Sequence, residues 1–116
     1  MRAWAATMCA VLVALPLTAE ADGVAALCAD APAPAPVCDC AAAALALEVA
    51  QDDYALYQSV GFDYARLRAD GERRAAAWEA ALTAAETRAG GGVTSVRRRV
   101  DAVARTHRAV IRQCTN

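Results

Sequence analysis

Residues 41–89 read AAAALALEVAQDDYALYQSVGFDYARLRADGERRAAAWEAALTAAETRA. At steps of eleven this stretch places Leu45, Leu56, Leu67, Trp78 and Ala89 in one row, with Val49, Val60, Gly71 and Leu82 in a second row four residues on. Eleven residues are close to three α-helical turns, so both rows stay on nearly one face. The pattern predicts a buried stripe on a long helix. The stretch holds no proline, and although Gly61 and Gly71 each cost about 1 kcal/mol relative to Ala in a helix interior, the rows pass through both without losing phase. The expectation is an all-α fold: one helix over about 40–89, some 70 Å long, followed by a shorter antiparallel helix over about 94–114. The result is a helical hairpin or coiled coil. A three-helix bundle, turning at Ser59-Val60-Gly61-Phe62-Asp63 or at Gly71, is the alternative.

The boundary between the two helices is set by Gly90-Gly91-Gly92, which readily takes the left-handed conformation that ends a helix. Thr94 or Ser95 can cap the second helix. Val93, Val96, Val100, Val103, His107, Val110 and Cys114 then recur at spacings of three and four, a continuous apolar seam, while Arg98, Arg105 and Arg112 lie on another face. Folded back along Arg68 to Ala89, this helix brings Val100, Val103 and His107 to Trp78 and Leu82. A hairpin of that shape leaves Leu45, Val49, Tyr54, Leu56, Tyr57, Val60 and Tyr64 uncovered. These are the candidate partner contacts, met by a second copy of the chain or by another helical protein.

Upstream, Met1-Arg2 precedes an apolar run from Ala3 to Leu17, Pro16 breaks it, and Ala19-Glu20-Ala21 supplies small residues for a signal peptidase. Residues 1–21 read as a secretory signal peptide cleaved before Asp22. If uncleaved, they would anchor the chain in a membrane. Residues 22–37, with Ala31-Pro32-Ala33-Pro34-Ala35-Pro36, read as an extended polyproline spacer, and residues 38–116 as the helical domain, with Asp39 capping its first helix.

Export sets the reading of the cysteines. Cys9 leaves with the leader, and Cys28, Cys38, Cys40 and Cys114 are disulfide candidates with three possible pairings. In the long hairpin Cys114 lies far from Cys38 and Cys40, so it would reach only another chain or Cys28. Cys38-Asp39-Cys40 also admits a redox reading, since a helix N-terminus lowers a thiol pKa, and Cys28, Cys38, Cys40 and His107 could supply soft metal ligands. Neither finds a second closely spaced pair or a thioredoxin-like pattern. No metal, cofactor or catalytic residue is expected. Ser59 and Ser95 lack any nucleophile signature, and His107, the single histidine, sits on an apolar seam where a satisfied core role is usual.

Composition agrees with a small scaffold. The chain has 116 residues, is 58% hydrophobic and has a net charge of −1, but 33 of its residues are Ala, which bury little area. It carries twelve Arg and no Lys. Residues 22–63 hold seven acids and no base, whereas residues 93–116 hold six Arg against Asp101. That polarity suits helix–helix ion pairing; near-neutral charge and an exported location argue against a nucleic-acid partner. The expected function is an exported, disulfide-stabilised interaction or structural protein without catalysis, self-associating or bound to a helical partner. In layout, an N-terminal anchor before a helical region ending in Gln113-Cys114 is similar to the inner-membrane subunit of phage spanins. That likeness implies a membrane-anchored periplasmic coiled coil.

Overall fold

The computed structural model describes residues 22–90 and 93–116, without the side chains of Val93 and Thr94. The leader, Cys9 and the seam position Val93 therefore lie outside the described side chains. The described residues are all-α, forming α1 (Gly23–Asp30), α2 (Ala35–Glu48), α3 (Gln51–Ala69), α4 (Arg74–Ala89) and α5 (Val93–Thr115). None of these helices is long and apolar enough to cross a membrane.

The single helix expected over 40–89 is broken twice. At the second break Gly71 has φ +93°, its amide bonds to the Arg68 carbonyl, and the Glu72 amide reaches back to that of Leu67. This is a Schellman cap, and its left-handed residue is the glycine. The first break has no glycine or proline. Val49 closes α2 through its amide to the Leu45 carbonyl and is itself extended, as is Ala50. Asp52 and Asp53 then fall in the first turn of α3, where negative charge is favoured by the helix dipole. Of the two glycines, Gly61 alone lies inside a helix.

The expected spacer is also corrected. Asp22 caps α1 with a carboxylate oxygen accepting from the amides of Val24 at 3.0 Å and Ala25 at 3.2 Å. Proline ends that helix only at the Pro32 to Pro34 link. Pro36 lies at the start of α2, where a missing N–H leaves no bond unmade. Asp39 consequently lies inside α2 rather than at its cap, and Thr94 and Ser95 lie inside α5.

Packing follows these reversals. α3 lies against α1 and α4, and α2 against α5. One core joins Val24, Leu45, Tyr57, Val60, Tyr64, Leu82, Val100 and Val110 to Ala41, Ala77, Ala81 and Ala85. Small side chains let the helices approach closely, most of all where α1 crosses α3. There Gly61 meets Gly23 backbone to backbone: a Cβ on Gly61 would sit 2.3 Å from the Gly23 carbonyl oxygen.

The α5 seam is buried at Val96, Val100, Val103, His107 and Val110. The acidic and basic segments also meet within one chain. Arg99 donates to Asp53 at 2.6 Å, joining α5 to α3; Arg97 pairs with Glu79 and Glu86 across the α4–α5 joint; Arg88 donates to the buried Asp63 at 2.8 Å.

Candidate functional site

All four cysteines of the described chain form intrachain disulfides. Cys28 pairs with Cys38, with Cα atoms 5.5 Å apart, and Cys40 pairs with Cys114 at 6.0 Å. Two residues apart on a helix point roughly 200° away from each other, so Cys38 reaches α1 while Cys40 reaches α5. The expectation that Cys114 would meet only another chain or Cys28 fails because α5 lies along α2, not along an unbroken 40–89 rod. As disulfides, these cysteines offer no thiolate to a metal, and among the described residues no group of three or more His, Cys, Asp or Glu converges on a metal position.

The candidate partner contacts are redistributed. Leu45, Tyr57, Val60 and Tyr64 are buried in the chain's own core, while Val49, Tyr54 and Leu56 pack partly buried against it. The stripe that called for a companion is thus covered in part by the other helices of the same molecule.

Two of those tyrosines instead face a cleft of about 440 Å³ between α1, α3, α4 and α5. Leu27, Tyr64, Trp78 and Ile111 supply apolar walls, and Arg74 and Arg108 also line it. The Tyr64 ring meets the Trp78 ring edge-on, with centroids 5.9 Å apart, and its hydroxyl donates to Asp30. Asp30 in turn lies 3.8 Å from Arg68 and 3.6 Å from Arg74, so one carboxylate ties together α1, α3 and α4.

His107 also lines the cleft; it is 2% exposed, with Nδ1 2.7 Å from the Tyr57 hydroxyl. Its Nε2 is buried and has no hydrogen-bond partner among the described residues. Burial lowers the imidazole pKa from its usual 6.5, against the opposing pull of the Asp22 charge, and Arg108 lowers it further. The same burial pushes the Tyr57 phenol strongly upward. Near neutral pH the pair is therefore uncharged.

A histidine held neutral in the fold makes stability pH-dependent. Below about pH 6.5 the unfolded chain takes up a proton that the folded chain does not, so stability should fall as pH is lowered through that value. Urea titrations at pH 7.5 and 5.5 check this: the wild type should lose midpoint on acidification, and His107→Gln should lose less.

The sequence places His107 on a buried face but does not reveal the cleft. Its walls come from Asp30, Tyr57, Arg74 and His107, which no local spacing relates. The one signal was a polar ring among valines on the seam. The fold and its site define a small disulfide-clamped helical bundle around an apolar, arginine-flanked cleft. Compared with protein-family models, curated proteins and solved structures, the chain matches none of them.

Proposed function

We propose that the chain is an exported, non-catalytic binding protein that works in an oxidising compartment outside the cytoplasm. The observation that carries this is the pairing of every cysteine in the described fold into two intrachain disulfides, in a domain whose alanine-rich core offers little area to bury. Small domains of that kind need covalent staples, and such staples persist where thiols are not kept reduced. The leader-like residues 1–21 agree with the same compartment, and α1 starts with its cap on Asp22, the residue expected to begin the mature chain.

Binding is favoured over catalysis by the inventory of the cleft. His107 has Tyr57 as its hydrogen-bond partner, the described residues that line the cleft include no serine, threonine or thiol, and Asp30 is engaged by Tyr64, Arg68 and Arg74. A general base with no nucleophile or water-positioning acid in reach has no reaction to assist. The partly buried Val49, Tyr54 and Leu56 remain the candidate contacts for a second copy or a helical partner.

The test is mass spectrometry of the protein recovered from its native compartment and alkylated before reduction. The expected result is a chain starting at Asp22, unalkylated, with Cys28–Cys38 and Cys40–Cys114 peptides linked. Recovery from the cytoplasm with alkylated cysteines would overturn the reading.

A further inference from the structure

The cleft holds a hydrogen-bonding imbalance that the fold leaves open. A neutral imidazole and a phenol carry two donor hydrogens between them, one on the ring and one on the hydroxyl. Their mutual bond at 2.7 Å uses one of these. If Tyr57 donates to Nδ1, the second hydrogen is on Nε2, buried and unpartnered. If Nδ1 donates to Tyr57, the phenol hydrogen is the one left over, since His107 is its hydrogen-bond partner. Either way one buried donor of this pair lacks an acceptor, and an unmet buried donor is costly.

The other uncommitted groups in the cleft have the same sign. Arg108 lines it beside His107 and makes no ion pair among the described residues, unlike Arg74, which shares Asp30. α4 opens onto the cleft at Arg74 and Ala75, and no side chain caps its first-turn amides; such an end attracts negative charge. Asp30 is the carboxylate of the lining, and its oxygens are taken by Tyr64, Arg68 and Arg74. Around these donors the walls are apolar and aromatic: Leu27, Tyr64, Trp78 and Ile111. The volume of about 440 Å³ lies within the range of small-molecule sites.

We propose that this cleft binds a small organic acid with an apolar, ring-sized body, its carboxylate facing Arg108 and the donor-rich His107–Tyr57 pair while its body lies against Trp78 and Ile111. This deepens the binding reading above and is independent of where the chain resides: the alkylation experiment addresses location, and ligand titration addresses the cleft.

The test uses the purified, disulfide-bonded chain, with 2-naphthoate as probe and uncharged 2-naphthamide as its near-isostere. His107 is the single imidazole of the chain, so its ring resonances report the site without ambiguity, together with the indole N–H of Trp78. The expected result is saturable 2-naphthoate binding that shifts both rings, with the amide at least about tenfold weaker, as loss of a charge-assisted bond implies. Arg108→Gln should bring acid and amide within about threefold of each other, and Arg112→Gln, outside the cleft lining, should leave the preference intact. Absence of saturable binding, equal affinity for acid and amide, shifts that spare His107 and Trp78, or an acid preference unchanged in Arg108→Gln would each overturn the proposal. Should the acid fail to bind while both disulfides are found in the exported chain, the cleft assignment falls and the broader reading stands.

Discussion

Replacing Cys40 and Cys114 together with serine should lower stability by about 4 kcal/mol, the loop-closure value for a bridge spanning 74 residues of sequence. The pair is removed as a unit so that no free thiol remains to exchange with Cys28 or Cys38. Loss of the Cys28–Cys38 bridge, with a sequence separation of 10, should cost about 3 kcal/mol on the same reckoning. For a domain of this size the first change corresponds to a fall of roughly 20 °C in Tm, because whole-domain stabilities are themselves only about 5–15 kcal/mol. Differential scanning calorimetry of the double variant against the wild type reads it directly. A shift under about 5 °C would mean that α2 and α5 hold together by side-chain packing alone.

The second large effect is expected at Gly61. In an isolated helix Gly61→Ala is favourable by about 1 kcal/mol. Here the new methyl would stand 2.3 Å from the Gly23 carbonyl oxygen and 2.7 Å from its carbon, with the Leu27 side chain at 2.9 Å. Two of these three neighbours are backbone and cannot rotate away, so α1 must move off α3. Overpacking of this kind costs about 3 kcal/mol, outweighing the propensity gain. Gly23→Ala should behave alike, since its Cβ would lie 2.0 Å from the Gln58 carbonyl oxygen. Gly71→Ala separates the two mechanisms: nothing lies within 4 Å of its Cβ position, and its cost is the positive φ alone. Chemical denaturation of the three variants should rank Gly61 and Gly23 as more damaging than Gly71.

These glycines show why part of the fold was legible in the sequence and part was not. The helical class and the α5 seam follow from spacing, because valines at intervals of three and four have one face to bury. Gly61 and Gly71 are the same residue in the same periodic stretch, yet one permits a close helix crossing and the other a left-handed turn. Periodicity cannot distinguish them, because the distinction depends on what lies opposite. For Gly61 that is Gly23, 38 positions earlier in the sequence, in a segment whose prolines suggested an extended spacer.

The break at Val49 and Ala50 had a subtler sign. Asp52 and Asp53 suit a first helical turn, but they serve equally well on a solvated face. Once α2 and α3 are separate helices, the cysteine partners and the Arg99 to Asp53 contact follow. The cleft follows as well, since it requires α1, α3, α4 and α5 to converge. Its residues were individually visible and mutually unrelated until the reversals brought them together.

The far reach of Cys40 bears on how the chain is born. A polypeptide made amino end first presents Cys28, Cys38 and Cys40 long before Cys114, which follows Cys40 by 74 positions. Cys28 and Cys38, 10 positions apart, can join early, whereas Cys40 must wait as an unpaired sulfhydryl until Cys114 has been made. During that interval it can attack its early-formed neighbour, so oxidative maturation of this small protein should depend on a catalyst of disulfide exchange far more than its two bridges alone would suggest.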